Sequence, residues 1–199
     1  PDPASTIAPA VDDLWYFIFW VSVFFFTLIV TIAIVFAIRY RRRNEHDTTP
    51  HLSHSLALEI GWSIIPIILI VVMFVWGFDT YMQMRVPPAD ALEIRVTAEK
   101  WNWKFTYPDG TVTGELSVPV NTPVRLVMSS KDVIHSFFVP HFRLKMDVLP
   151  NRYTTTWFEA TKTGEFPIFC AEYCGTQHSG MLSTVLVQER PAHEEWLMT

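Results

Sequence analysis

The sequence has only two cysteines in 199 residues, Cys170 and Cys174. That excludes a disulfide framework and leaves at most one staple, between Cys170 and Cys174. No Cys-x-x-Cys-His motif occurs, so these residues attach no haem covalently. There is no internal repeat and no low-complexity tract. Charge is missing from two long runs, residues 14–38 and 60–78. As helices these runs would measure about 37 Å and about 28 Å, matched to a hydrocarbon core about 30 Å thick. The chain starts at Pro1 rather than Met, which implies a removed signal segment or a start further upstream.

What is present is largely apolar. Half of the residues (50%) are hydrophobic and 15% are aromatic, and the mean hydropathy is positive. That balance implies membrane segments joined to one modest domain. Trp15, Tyr16 and Trp20 open the first run, where aromatic belts form. Pro66 interrupts the second, which a membrane helix tolerates when neighbours satisfy the freed carbonyl. Between the runs stand Arg39, Arg41, Arg42 and Arg43, which place the connecting loop in the cytoplasm and both termini outside. A nucleic-acid site is the competing reading of this cluster and is not adopted. His46, His51 and His54 read as solvated loop histidines.

The expected division is an external tail (1–13), a first transmembrane helix (14–38), a cytoplasmic loop (39–59), a second helix (60–80), a linker (81–91) and a final domain (92–199). Residues 93–98 alternate with period two, and residues 112–116, 124–128, 154–158 and 184–187 read as further short strands. Pro108-Asp109-Gly110 and Val120-Asn121-Thr122-Pro123 supply turns. Short strands at this spacing predict a β-sandwich.

The chemistry is concentrated in Cys170-Ala171-Glu172-Tyr173-Cys174-Gly175-Thr176-Gln177-His178-Ser179-Gly180-Met181. Thiolate, thioether and imidazole together favour copper over harder metals. A mononuclear blue-copper site takes one Cys, two His and a weak Met. This loop has one Cys too many for that and one His too few. Two cysteines four apart can each bridge a pair of copper ions, and His135 in Asp132-Val133-Ile134-His135-Ser136-Phe137 is the obvious source of the second imidazole. A Cys170–Cys174 disulfide is the plain alternative, although so short a loop gains little from a staple. Zinc is another, although its sites rarely use thioether.

The loop resembles the copper-A loop of cytochrome c oxidase subunit II, which reads Cys-x-Glu-x-Cys-Gly-x-x-His-x-x-Met, and every fixed position of that pattern is present. The resemblance extends over nearly the whole chain. It implies a two-helix membrane hairpin followed by an all-β, cupredoxin-like Greek-key sandwich. In that fold a strand near His135 meets the loop between the last two strands at one end. The implied cofactor is a pair of copper ions held by His135, Cys170, Cys174, His178, Met181 and the carbonyl of Glu172. The Glu172 side chain would hold a magnesium ion shared with subunit I.

The same resemblance gives roles to further residues. Trp101-Asn102-Trp103 matches a family Trp pair whose first member, here Trp101, accepts the electron from cytochrome c; by itself the run reads as core or interfacial packing. Trp103 is expected to face away from Trp101. Glu59 stands in Leu-Glu-x-x-Trp-x-x-x-Pro, where the family Glu lies at the mouth of a proton channel into subunit I. Alone, it reads as a carboxylate favoured at a helix N-terminus or as a proton-uptake group. Residues 142–152 resemble a segment that packs on subunit I near its haem propionates. Asn151 replaces a usual Gly there, and Asn also accepts a left-handed turn. Phe137 stands where the family often has Trp, and His141 reads as a surface or packing histidine.

Charge adds one more expectation. Four arginines against Glu45, Asp47 and Glu59 give the 39–59 loop a net +1, which leaves −6 for the rest of a chain of net −5. An acidic outer face suits a basic cytochrome c, and it also suits ordinary solubility. The resulting expectation is subunit II of an aerobic respiratory oxidase in a bacterial-type inner membrane. Its partners would be subunit I, other oxidase subunits, cytochrome c and lipid, and any cytochrome c domain would lie beyond Thr199. The alternatives are a copper-free quinol oxidase subunit, the copper-A domain of a nitrous-oxide reductase, and a disulfide-stapled, membrane-anchored β-sandwich.

Overall fold

The two uncharged runs become two long helices, α1 (Ala8–Arg39) and α2 (Leu56–Arg85), in a computed structural model that describes residues 1–48, 51 and 54–198. Residues 49, 50, 52 and 53 of the expected loop, and Thr199, lie outside the described residues. Both helices outrun the apolar stretches. The Ser5 Oγ accepts a hydrogen bond from the Ala8 N–H at 3.2 Å, which caps α1 and starts it before residue 14. α2 continues through Met82, Gln83, Met84 and Arg85, all good helix formers, and stops at Val86, which Pro87 keeps out of the helical region. The expected linker 81–91 is thereby corrected to residues 86–91. Glu59 falls in the first turn of α2, and Pro66 sits inside that helix without breaking it.

Apolar side chains cover every face of both helices. Only Ala8 in α1 and Thr80 in α2 are buried, while Phe26 and Phe74 are 70% and 69% exposed. A helix that is apolar all round and not packed inside protein belongs in lipid or against other membrane helices. The two helices meet through Phe17 and Trp76, whose ring centroids lie 5.4 Å apart. Gly77 permits close approach there, since a Cβ on it would sit 3.7 Å from Leu14 Cδ2.

The chain forms two units, one of residues Asp12–Asp79 and one that joins Pro1–Val11 to Thr80–Thr199. The first residues, expected as an external tail over 1–13, pack into the second unit. Ala4 and Ser5 are buried in the second unit. The Ala4 N–H donates to the His141 carbonyl and the Thr161 N–H to the Ala4 carbonyl, both at 2.9 Å, and the Ser5 hydroxyl donates to the Phe142 carbonyl at 2.9 Å.

The second unit contains β1 (Leu92–Glu99), β2 (Asn102–Thr106), β3 (Val112–Thr113), β4 (Leu116–Pro119), β5 (Pro123–Ser130), β6 (His135–Val139), β7 (Leu144–Val148), β8 (Thr154–Glu159), β9 (Gly164–Cys170) and β10 (Leu182–Gln188), then α3 (Arg190–Leu197). They make two five-stranded sheets, β3-β2-β1-β5-β8 and β4-β10-β9-β6-β7. The pairs β1–β5 and β4–β10 are parallel; the other ladders are antiparallel. Period-two alternation puts Ile94, Val96 and Ala98 inside from β1, and Val124, Leu126 and Met128 from β5. The strand expected at 112–116 is in fact two, β3 and β4, in different sheets. Gly114 lies between them, with no side chain to hold a ladder.

The core is aromatic. Trp103, Phe105, Phe137, Phe142 and Phe158 are essentially fully buried between the sheets. Truncating any one of them to Ala removes about 3–5 kcal/mol. Phe137, where a Trp was the family habit, stands edge-on to Trp103 with centroids 5.5 Å apart. The anchor of α3 is His193, buried with its Nδ1 2.9 Å from Ser117 Oγ. Asn151 has φ 60° and Asn121 φ 52°, the left-handed conformation that Asn accepts in turns. His141 packs beside Phe166, with centroids 5.3 Å apart.

Candidate metal centre

Three places in the fold bring the donors together. β6 begins at His135, β9 ends at Cys170, and the loop 171–181 returns to β10. Cross-strand pairing of Phe137 with Cys170 sets the register between β6 and β9. The loop turns at Gly175, whose φ of +119° is open to glycine and strained for any other residue. A short helical turn over His178–Gly180 then presents His178, and Met181 enters the core, fully buried.

The donor atoms converge. Cys170 Sγ and Cys174 Sγ are 3.8 Å apart and unbonded. Cys170 Sγ lies 3.8 Å from His135 Nδ1 and 3.3 Å from the Glu172 carbonyl oxygen. Cys174 Sγ lies 3.5 Å from His178 Nδ1 and 3.8 Å from Met181 Sδ. His135 Nδ1 is 3.1 Å from Met181 Sδ. His135, Cys170 and Cys174 are all buried, with donor atoms within 4.8 Å of one another. All six residues expected as ligands contribute an atom to this cluster; for Glu172 that atom is the carbonyl, and its side chain is exposed.

Ionising both thiols here would require a cation. Burial raises the Cys174 thiol above its usual range, and the adjacent Cys170 raises it further. Two thiolates cannot share so dry a site without positive charge between them. Soft sulfur donors beside imidazole nitrogens are what copper takes. The residues present therefore fit the metal pair that the loop pattern implies.

Beside the donors stands a carboxylate to which the sequence reading gave no role. The Asp132 carboxylate accepts from His135 Nε2 at 2.9 Å. It also accepts backbone N–H bonds from Lys100 and Val133, each at 2.7 Å. Desolvation alone would raise this carboxyl, but the bonds from His135, Lys100 and Val133 outweigh it and bring the group down to about 2. The available signal was a carboxylate three residues before a candidate ligand. Trp103 covers the imidazole from the core side, with ring centroids 6.2 Å apart.

Trp101 occupies the turn between β1 and β2, while Trp103 lies within β2 and points into the core. The Trp101 indole packs on the cysteine loop: a Cβ on Gly175 would sit 3.3 Å from its Cζ2. Its Nε1 is buried with no hydrogen-bond partner among the described residues. Glu59 belongs to the helical unit, where its carboxylate lies 3.8 Å from His54 Nδ1, both side chains largely exposed.

Comparison with known proteins agrees with this architecture. Residues 1–79 match the family model for the cytochrome c oxidase subunit II transmembrane domain, and residues 110–188 match that for the periplasmic domain. Cytochrome c oxidase subunit 2 of Thermostichus vulcanus is 32% identical, over 98% of this chain and 76% of the relative. Among solved structures, the periplasmic domain of subunit II of cytochrome oxidase from Bradyrhizobium japonicum is similar at 34% identity and a TM-score of 0.54, covering 57% of this chain and 95% of that one. A chain of a heme-copper terminal oxidase dimer shares the fold, with a TM-score of 0.54 at 20% identity over 66% of this chain and 99% of its own. Helical hairpin, β-sandwich and both family matches lead to one conclusion: the chain belongs to the cytochrome c oxidase subunit II family.

Proposed function

We propose that the chain is the electron-accepting subunit of a respiratory oxidase. It receives electrons from cytochrome c at a binuclear copper-A centre and delivers them to haem in subunit I, where oxygen is reduced to water and protons are translocated. The observation that carries this reading is the convergence of two thiols, two imidazoles, one thioether and one carbonyl at the end of a rigid sandwich. A copper-free quinol-oxidase subunit has no use for that set.

Bound there, a copper pair supplies a one-electron redox centre. Cys170, Cys174, His135, His178, Met181 and the Glu172 carbonyl would hold it, the thiolates and imidazoles as strong donors and the thioether and carbonyl as weak ones. Binding two cations requires the thiols to give up their protons, so loading is coupled to pH. The sandwich holds His135 and Cys170 on paired strands and anchors both ends of the short loop that carries the other ligands, so they need little rearrangement when the charge of the site changes.

The remaining residues take supporting roles. Trp101 lies over Gly175 and offers a flat apolar ring through which an electron reaches the site. The exposed Glu172 carboxylate is free to share a magnesium ion with subunit I. Glu59 feeds protons to subunit I from the opposite side of the membrane. In the proposed orientation the β unit lies outside the inner membrane and the arginine-flanked loop in the cytoplasm; the attachment of residues 4–6 to the β unit supports this, since two crossings return the chain to the same side.

The test is a copper count with electron paramagnetic resonance on the purified full chain. Two coppers per chain and a hyperfine pattern from two equivalent nuclei are expected. A pattern from one nucleus overturns the binuclear reading.

A further inference from the structure

We propose that Asp132 is a positioning residue that fastens the ligand imidazole of His135 and the Trp101 turn to one carboxylate. This rests on the copper-A reading above and adds a residue which that reading does not use.

The two oxygens divide the work. Oδ1 accepts from His135 Nε2 at 2.9 Å and from the Val133 N–H at 2.7 Å, with the Ser130 hydroxyl at 3.2 Å. Oδ2 accepts from the Lys100 N–H at 2.7 Å. The imidazole is fully buried, and the partly exposed Asp132 carboxylate stands between its Nε2 and solvent. A hydrogen bond donated from Nε2 leaves the lone pair on Nδ1, the nitrogen that faces Cys170 and Met181. The carboxylate thus selects the tautomer and the ring orientation that ligation needs.

The second oxygen reaches another element. Lys100 precedes Trp101, and the Trp101 ring rests on Gly175, next to Cys174. His135 begins β6 and Val133 lies in the connection just before it, whereas Lys100 lies in the turn between β1 and β2 of the facing sheet. Asp132 therefore joins the sheets at the metal end. One side chain sets the distance from the indole to the thiol loop and, separately, the direction of an imidazole.

Two variants separate these actions. Asp132→Ala removes both acceptors. Asp132→Asn keeps one oxygen for His135 but replaces the other with an NH2 group, which cannot accept from the Lys100 N–H. On the full chain, Asp132→Ala should lower copper affinity about 10- to 100-fold in a chelator competition. It should also alter the nitrogen hyperfine coupling of one imidazole. Asp132→Asn should restore affinity and coupling to near the parent values. In the copper-free chain, hydrogen exchange at the Lys100 amide should quicken about tenfold or more in both variants. Unchanged affinity and coupling in Asp132→Ala overturn the His135 half. A Lys100 amide still protected in Asp132→Asn overturns the Trp101 half. Failure of Asp132→Asn to restore the coupling reduces Asp132 to a packing role and also overturns the proposal. A parent chain that binds no copper sinks the copper-A reading and the His135 half with it, whereas exchange in the metal-free protein still decides the tether to Lys100.

Discussion

His135 Nδ1 and Met181 Sδ approach to 3.1 Å although 46 residues separate them in the chain. The contact joins the first residue of β6 to the last residue of the cysteine loop and puts a strong and a weak donor side by side. Replacing Met181 with Leu keeps volume and burial, so the fold should tolerate it at a cost under about 1.5 kcal/mol. Losing the thioether removes electron donation that favours the oxidised metal. The expected outcome is a bound copper pair whose reduction potential rises by about 60 mV, a tenfold change in a one-electron equilibrium. Redox titration of the visible absorption measures it, and an unchanged potential removes Met181 from the ligand set.

Trp101→Phe keeps an aromatic ring over Gly175 but shortens it. Electron transfer from cytochrome c should slow by about tenfold or more, about 1.4 kcal/mol of barrier, with apparent affinity nearly unchanged. Stopped-flow reduction over a range of ionic strength separates the two quantities. Weaker binding with an unaltered saturated rate would make Trp101 a docking residue instead.

Glu59 occupies the first turn of α2, beside His54. In the assembled oxidase, Glu59→Ala should slow the proton-coupled reductive steps by about tenfold while copper content and cytochrome c binding stay at parent levels. Unchanged turnover across pH would return Glu59 to the role of a helix-terminal carboxylate.

Protease added from the cytoplasmic face of sealed vesicles should cut only between residues 43 and 54. The four arginines that flank this loop are the reason. Cleavage after residue 92 from that face would reverse the orientation.

His193 anchors α3 through Ser117 and lies against the rings of Tyr107 and Trp196. Burial holds its pKa below the usual imidazole value of 6.5, against an opposing pull from Glu194. The unfolded chain therefore takes up a proton near pH 6.5 that the folded chain refuses until lower pH. Stability from this group is complete above about pH 6.5 and is lost as pH falls below it. His193→Gln should flatten that dependence. Comparing thermal unfolding at pH 7.5 and pH 5 tests it: the parent should lose about 3 °C more than the variant between the two. Equal losses would show that other groups carry the acid sensitivity.

The sequence by itself determined the class of molecule and the chemistry of its centre. Two uncharged runs need no partner residues to be read, because lipid imposes their length and composition locally. The spacing of Cys170, Cys174, His178 and Met181 is legible for the same reason: these ligands share one short loop. Alternation in β1 and β5 marked a sandwich. Only the tertiary structure decided how the pieces join. Gly114 divides one expected strand between two sheets, and residues 1–7, which look like a tail, turn out to be part of the β unit. α2 runs on to Arg85 because helix propensity continues past the apolar run. Trp101 lies in a turn, and its place over Gly175 depends on two segments more than 70 residues apart. Asp132 was visible as a residue but not as a tether, since its partners Lys100 and His135 come from facing sheets. Periodicity and spacing report what a residue's neighbours along the chain require; contacts across a sandwich depend on register and turn geometry, which no local pattern encodes.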